Sequence, residues 1–269
     1  MKQMLAIIAG QGQLPFAVSA AAKNKGLAVL GIGIKGWVDG ALSEKVDSYQ
    51  ELSVGQLGDL IKTLKVHQAN QVVMAGKVTK EVLLSQQHAF DEEMRRILTQ
   101  AKDFSVTGVL GAIGQRLAQE GIQLLDSSLL LQDALCPIGQ VTARGPSQPQ
   151  EEDIRLGVSA ARSLAALDVG QTVIVCNKVV IAVEALEGTD AAIRRAYELA
   201  GSGLVVVKMA AVHQDRRFDL PIVGLQTIKT LRACGIACLA VQANSTLLLD
   251  RSSLIAEADA AGIVIVGVS

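Results

Sequence analysis

Met4-Leu5-Ala6-Ile7-Ile8-Ala9-Gly10-Gln11-Gly12-Gln13-Leu14-Pro15 is the stretch on which the fold turns. Six apolar residues with no polar alternation read as a strand covered on both faces, the pattern of a parallel sheet flanked by helices. Gly10 and Gly12 then let the backbone approach a neighbour or an anion closely. Pro15 suits the first turn of a helix, where no backbone donor is needed. Strand, glycine turn and helix in that order open a βα unit.

Working outward, residues 27–34 and 71–75 are near-continuous apolar runs and predict further strands, with helices over 15–25 and 56–66. A helix over 106–120 stops at Gly121, ahead of a strand over 122–125. Pro137, Gly139, Gly145, Pro146 and Pro149 punctuate a stretch with little periodicity, which predicts a linker over 136–153. Beyond it the pattern predicts a helix over 154–167 and strands over 172–176 and 179–183 around the turn-like Asn177-Lys178. Strands over 204–209, 237–241, 246–249 and 263–268 alternate with helices over 191–200, 227–233 and 254–261. The expected architecture is α/β in two domains. A Rossmann-like domain with a parallel sheet covers 1–135, and a C-terminal α/β catalytic domain covers 154–269.

Composition narrows the function. Of 269 residues 50% are apolar and 19% charged, which suits a large buried core and argues against disorder. Twenty-five Lys and Arg against 26 Asp and Glu give a net charge of −1, and one Trp, two Tyr and four Phe offer few stacking platforms, so nucleic acid is not an expected partner. Four cysteines without a C-x-x-C, and three histidines in unrelated contexts, argue against zinc. The first apolar run is too short for a signal peptide, and no run approaches the roughly 20 residues of a membrane span. A cytoplasmic protein with reduced thiols is expected. A peripheral contact with a membrane surface stays open.

Four segments carry candidate chemistry. Gly10-Gln11-Gly12, between a strand and a helix, offers unpaired N–H groups and a helix dipole to a phosphate, although Pro15 stands where a dinucleotide fingerprint has its third glycine. Gly76-Lys77 follows another strand of the same sheet and could share a ligand with that first loop, Lys77 contacting phosphate or sugar. Glu184-Ala185-Leu186-Glu187-Gly188-Thr189-Asp190 places three carboxylates at a glycine turn. Such a group wants cations, and its oxygens suit magnesium or manganese. As structure alone, Thr189 or Asp190 caps the next helix and the glutamates are solvated. Asp215-Arg216-Arg217-Phe218-Asp219, with Lys208 before it, mixes the cations and carboxylates that phosphoryl chemistry asks for; as structure alone it is a charged loop in which Arg216 pairs with Asp215.

These segments, with Leu164-Ala165-Ala166-Leu167-Asp168-Val169-Gly170-Gln171 and Phe218-Asp219-Leu220-Pro221, make the chain resemble the LpxI-type UDP-2,3-diacylglucosamine pyrophosphatases of lipid A biosynthesis, nearly end to end. The resemblance implies a magnesium- or manganese-dependent hydrolase that splits UDP-2,3-diacylglucosamine into UMP and 2,3-diacylglucosamine 1-phosphate, and a homodimer formed through the C-terminal domain. It implies Asp219 as the essential aspartate and Lys208 as a phosphate contact; mechanistically, Lys208 with Arg216 or Arg217, of which Arg217 is the one assigned, is expected to stabilise developing charge. Metal ligands are then expected among Glu184, Glu187, Asp190 and Asp219, and substrate contacts at Gly10, Gln11, Gly12, Gly76, Lys77, Gly188 and Thr189. The alternative reading is a non-catalytic module that closes on a nucleotide-sugar or dinucleotide, or a scaffold subunit using its apolar surface.

Overall fold

A computed structural model describes residues 2–78, 90–100, 106–167, 169–210, 215–218 and 220–269. The chain divides into two compact units. Unit 1 comprises Met1–Leu131 with Asp215–Phe218, and unit 2 comprises Gln132–Gln214 with Asp219–Ser269.

Unit 1 runs β1 (Met4–Ala9), α1 (Leu14–Asn24), β2 (Ala28–Ile34), β3 (Ser48–Leu52), α2 (Leu57–Val66), β4 (Gln71–Ala75), α3 (Glu92–Gln100), α4 (Val106–Gln119) and β5 (Gln123–Leu125). The five strands form one parallel sheet in the order β3-β2-β1-β4-β5. Apolar residues fill both faces of its centre, which is why β1, β2 and β4 read as unbroken hydrophobic runs. Ala6, Leu30, Ile32 and Val72 join one buried cluster, while Leu5, Ile7, Val29 and Val73 are equally buried at 0–1% exposure. The edge strand β3 has the mixed sequence Ser-Tyr-Gln-Glu-Leu and carries no such signal. Its Tyr49 stands opposite Gly31, and the ring fills the space that a side chain at Gly31 or Gly33 would need. Burial first, then the hydrogen bond to Glu51, pushes the Tyr49 phenol up to about 12.

Unit 2 runs β6 (Gly139–Gln140), α5 (Gln148–Ala166), β7 (Thr172–Cys176), β8 (Val179–Val183), α6 (Thr189–Ala200), β9 (Val205–Lys208), β10 (Ile222–Val223), α7 (Leu225–Ala233), β11 (Cys238–Gln242), β12 (Leu247–Leu248), α8 (Arg251–Ala260) and β13 (Val264–Val268). Its main sheet has the order β6-β13-β11-β9-β7-β8. The strands β13, β11 and β9 are parallel, and β7, β8 and β6 join antiparallel. One face packs Val173, Val205 and Val207 against Ile154 and Ala161 of α5. The other packs Ile174, Val206 and Leu239 against Ile193, Ile228 and Leu254 of α6, α7 and α8. Asn177 and Lys178 both take positive φ, 50° and 64°, making the tight β7–β8 turn that the right-handed strand twist favours. The Asp153 carboxylate, 5% exposed, accepts from the N–H groups of Asn177 and Lys178 at 3.0 and 2.6 Å, anchoring that turn to α5.

The stretch 136–153, expected as a linker, is built into unit 2. Cys136 is fully buried, Gly139 and Gln140 pair with β13, and α5 begins at Gln148. Its helical start was hidden because the first turns are Gln-Pro-Gln-Glu-Glu-Asp, polar all round, and are stabilised at the end by the Gln150 side chain accepting from the Ser147 N–H at 2.8 Å. Among the described residues no helix is long and apolar enough to cross a membrane.

Candidate functional site

In unit 1 the strand order reverses beside β1, since β2 lies on one side and β4 on the other. Open parallel sheets bind ligands in the crevice outside the carboxyl ends of the strands at such a switch point. The loops after β1 and β4 are joined there: Gln11 N–H donates to Lys77 C=O at 3.0 Å and Lys77 N–H to Gln11 C=O at 2.9 Å. A Cβ at Gly10 would stand 2.6 Å from the Lys77 carbonyl oxygen, and one at Gly76 would stand 2.7 Å from that of Gln11. Gly10 and Gly76 are therefore explained by loop touching loop. Gly12 differs: its φ is +100°, open space surrounds the position where a Cβ would stand, and it is exposed beside the exposed Gln11. Lys77, whose backbone makes the bridge, has an exposed side chain.

In unit 2 the sheet register builds a polar row. Thr172 of β7 stands opposite Lys208 of β9. On the other side of β7, Glu184 extends the β7–β8 ladder by one residue, its N–H donating to the Thr172 carbonyl at 2.8 Å. Directly opposed residues of antiparallel strands project to the same face. Glu184, Thr172 and Lys208 consequently share one face at the end of three apolar strands. The first residue of α6, Thr189, completes the cluster. Its Oγ1 donates to Glu184 Oε1 at 2.9 Å, accepts from Lys208 Nζ at 2.9 Å and lies 3.4 Å from Thr172 Oγ1. Lys208 Nζ and Glu184 Oε2 are 4.0 Å apart, and each side chain is 13% exposed. Glu184 Oε2 is buried with no hydrogen-bond partner among the described residues. The loop before β7 presses on this corner, because a Cβ at Gly170 would meet the Glu184 carbonyl oxygen at 2.0 Å.

The other residues of the acidic segment go elsewhere. Glu187 accepts from its neighbour Ala185 N–H at 3.0 Å and from Arg195 Nη2 at 2.6 Å. Its own backbone N–H first, then Arg195 and the Ala185 N–H, hold its carboxyl below the usual carboxylate range. Asp190 lies with Arg194 and Glu198 within electrostatic range of Cys234, whose thiol is pushed up first by burial. The helix cap is Gly188, with φ 84°, and neither Thr189 nor Asp190 occupies that position. Among the described residues no three His, Cys, Asp or Glu side chains come together as a metal site.

Arg217 belongs to unit 1 and Lys208 to unit 2. It forks onto Asp215 through Nε at 2.9 Å and Nη2 at 2.6 Å, and lies over the Phe218 ring at 5.0 Å from its centroid. The Arg217 guanidinium beside Asp215 holds that carboxyl below its ordinary value. Phe218 packs against the unit 1 core. Asp219 lies outside the described residues, as does Asp168. Thr172, 1% exposed, is the member of the polar row that the sequence reading missed. The available signal was a threonine heading the otherwise apolar run Val-Ile-Val-Cys.

The family model of the LpxI N-terminal domain matches residues 4–134, and that of the LpxI C-terminal domain matches residues 137–266. A UDP-2,3-diacylglucosamine pyrophosphatase LpxI of Caulobacter vibrioides is 28% identical over 275 residues, covering 98% of this chain and 97% of that protein. Among solved structures, the biotin carboxylase domain of the Hydrogenobacter thermophilus 2-oxoglutarate carboxylase matches with TM-score 0.28 and 11% identity, covering 74% of this chain and 41% of that one. Glycinamide-RNase-transformylase T of Mycobacterium tuberculosis matches with TM-score 0.26 and 13% identity, covering 68% of this chain and 44% of that one. The chain thus spans less than half the length of each of these two solved structures.

Proposed function

This chain belongs to the LpxI family, and on that footing we propose that it hydrolyses UDP-2,3-diacylglucosamine in lipid A biosynthesis. Water adds across the P–O–P bridge: its hydroxyl goes to one phosphorus, its proton to the oxygen left on the other, and the products are UMP and 2,3-diacylglucosamine 1-phosphate. The observation that carries this chemistry is the Lys208 ammonium, largely buried at the end of β9 and held by a hydroxyl. In that setting it donates to a non-bridging phosphate oxygen, and its charge offsets the charge that develops there in the transition state. Asp219 is assigned to orienting the attacking water. Arg217 is already engaged by Asp215, so Lys208 is the cation assigned to the reaction. Gly12 and Lys77 are the substrate contacts assigned in unit 1.

Magnesium or manganese is part of this reading, and Glu184 fits such an ion, because Oε2 is a buried acceptor that accepts no hydrogen bond among the described residues, with the Lys208 ammonium 4.0 Å away. When bound, the ion would supply neutralisation of diphosphate oxygens. Glu187 as placed does not fit, since Arg195 holds it. The reading also includes a cytoplasmic homodimer with at most a peripheral contact with the membrane. Support for the dimer is β8, an edge strand of the unit 2 sheet with Val179 and Val180 exposed, a surface that a second copy would cover by extending the sheet.

The test is to incubate purified protein with UDP-2,3-diacylglucosamine and magnesium, manganese or chelator, and to measure UMP. Metal-dependent release is expected, and Asp219→Ala is expected to lower turnover about hundred-fold or more with an unchanged melting curve. No UMP with either metal would exclude the hydrolytic reading.

A further inference from the structure

Thr189 has one hydroxyl hydrogen and stands between an ammonium, which can only donate, and a carboxylate, which can only accept. The direction of both bonds is therefore fixed, from Lys208 to Thr189 and from Thr189 to Glu184, each 2.9 Å long. The two charged groups lie 4.0 Å apart at the Nζ to Oε2 distance, and no hydrogen bond joins them. Glu184 Oε2 is left buried and accepts no hydrogen bond among the described residues. At 4.0 Å this is a loose ion pair, and a buried carboxylate oxygen with no hydrogen bond beside an ammonium would ordinarily close to a hydrogen-bonded contact, which is both shorter and stronger.

The start of α6 supplies the reason why it does not close. A threonine at a helix N-terminus is commonly recruited to cap the first N–H groups. Here Gly188 takes the cap position with φ 84° and no side chain, which leaves the Thr189 hydroxyl for the Lys208–Glu184 gap. Thr172 Oγ1, at 3.4 Å, flanks the same oxygen.

We propose that Thr189 is a positioning residue that holds Lys208 and Glu184 apart, keeping the ammonium available to a phosphate oxygen and the carboxylate available to the cation that accompanies it. This assignment deepens the hydrolytic reading and rests on it for the class of ligand. It departs from the expectation that Thr189 itself touches substrate.

The experiment compares wild type, Thr189→Val, Thr189→Ala and Thr189→Ser by calorimetric binding of UMP with magnesium and by steady-state hydrolysis. Valine keeps the shape and removes the hydroxyl, alanine removes both, and serine keeps the hydroxyl. Loss of the spacer is expected to weaken UMP binding about tenfold and to lower kcat by at least as much, while serine stays within about twofold of wild type. Wild-type affinity in both the valine and the alanine variants, failure of serine to rescue, or no magnesium-dependent UMP binding by wild type would each overturn the proposal. Wild-type protein that binds UMP but releases none from the lipid substrate would instead remove the hydrolytic reading and leave the spacer to be judged by the binding series.

Discussion

Lys208 of β9 stands directly across from Thr172 of β7, and Glu184 follows on the far side of the same strand. This row places a cation and an anion on one face at the ends of strands that are otherwise apolar. Both charges are largely withdrawn from water, so each depends on the other.

Lys208→Met should lower turnover about hundred-fold, the usual cost of removing a preorganised donor to developing charge. It should also destabilise unit 2 by about 3 kcal/mol, because Glu184 is left buried without its counter-charge. Adding Glu184→Gln should restore most of the stability and none of the activity. Thermal unfolding and UMP release on the single and double variants measure both effects.

The three glycines of the unit 1 loops should separate by cause. Gly76→Ala combines a clash with the Gln11 carbonyl oxygen and a φ of +94°, and should cost about 3 kcal/mol. Gly10→Ala meets the Lys77 carbonyl oxygen and should cost about 2 kcal/mol. Gly12→Ala has open space and only an unfavourable φ of +100°, so about 1 kcal/mol is expected. Chemical denaturation of the three variants tests that order.

Asp153→Ala should destabilise unit 2 by about 2 kcal/mol, since the Asn177 and Lys178 N–H groups at the exposed β7–β8 turn lose a charged acceptor that is itself buried. Asp153→Asn keeps one acceptor oxygen and should lose less. Equal melting temperatures for the two variants would show that the hydrogen bond kept by asparagine contributes nothing.

Burial pushes the Cys238 thiol up to about 12 and the Cys136 thiol up to about 11. Neutral thiols therefore favour the folded state fully below the ordinary value of 9.0, and the benefit disappears as pH rises through 11 to 12. The fall in melting temperature between pH 9 and 12 should be shallower in Cys238→Ala than in wild type. At pH 8 a thiol reagent should modify the half-buried Cys176 well before either of these two.

Much of the architecture was legible locally. The strands of Met4–Ala9 and Gln71–Ala75 coincide with their apolar runs, and Thr172–Cys176 and Val179–Val183 meet at the predicted Asn177-Lys178 turn. A covered strand must be apolar along its length, so its sequence announces it. Ser48–Leu52 and Glu92–Gln100 were missed, the one because an edge strand tolerates polar residues and the other because two apolar anchors, Met94 and Ile97, sit among charges.

The sequence by itself determined the α/β class, the two-part division, the glycine turns and the family to which the chain belongs. Period and turn chemistry act between residues a few positions apart, and family motifs are contiguous. Only the tertiary structure decided that Glu184 faces Thr189 and Lys208 while Glu187 turns to Arg195. It likewise gave Asp215–Phe218 to unit 1, although the surrounding chain builds unit 2. Such assignments follow from strand register and from the packing of residues far apart in sequence, where a shift of one position would send every side chain to the opposite face.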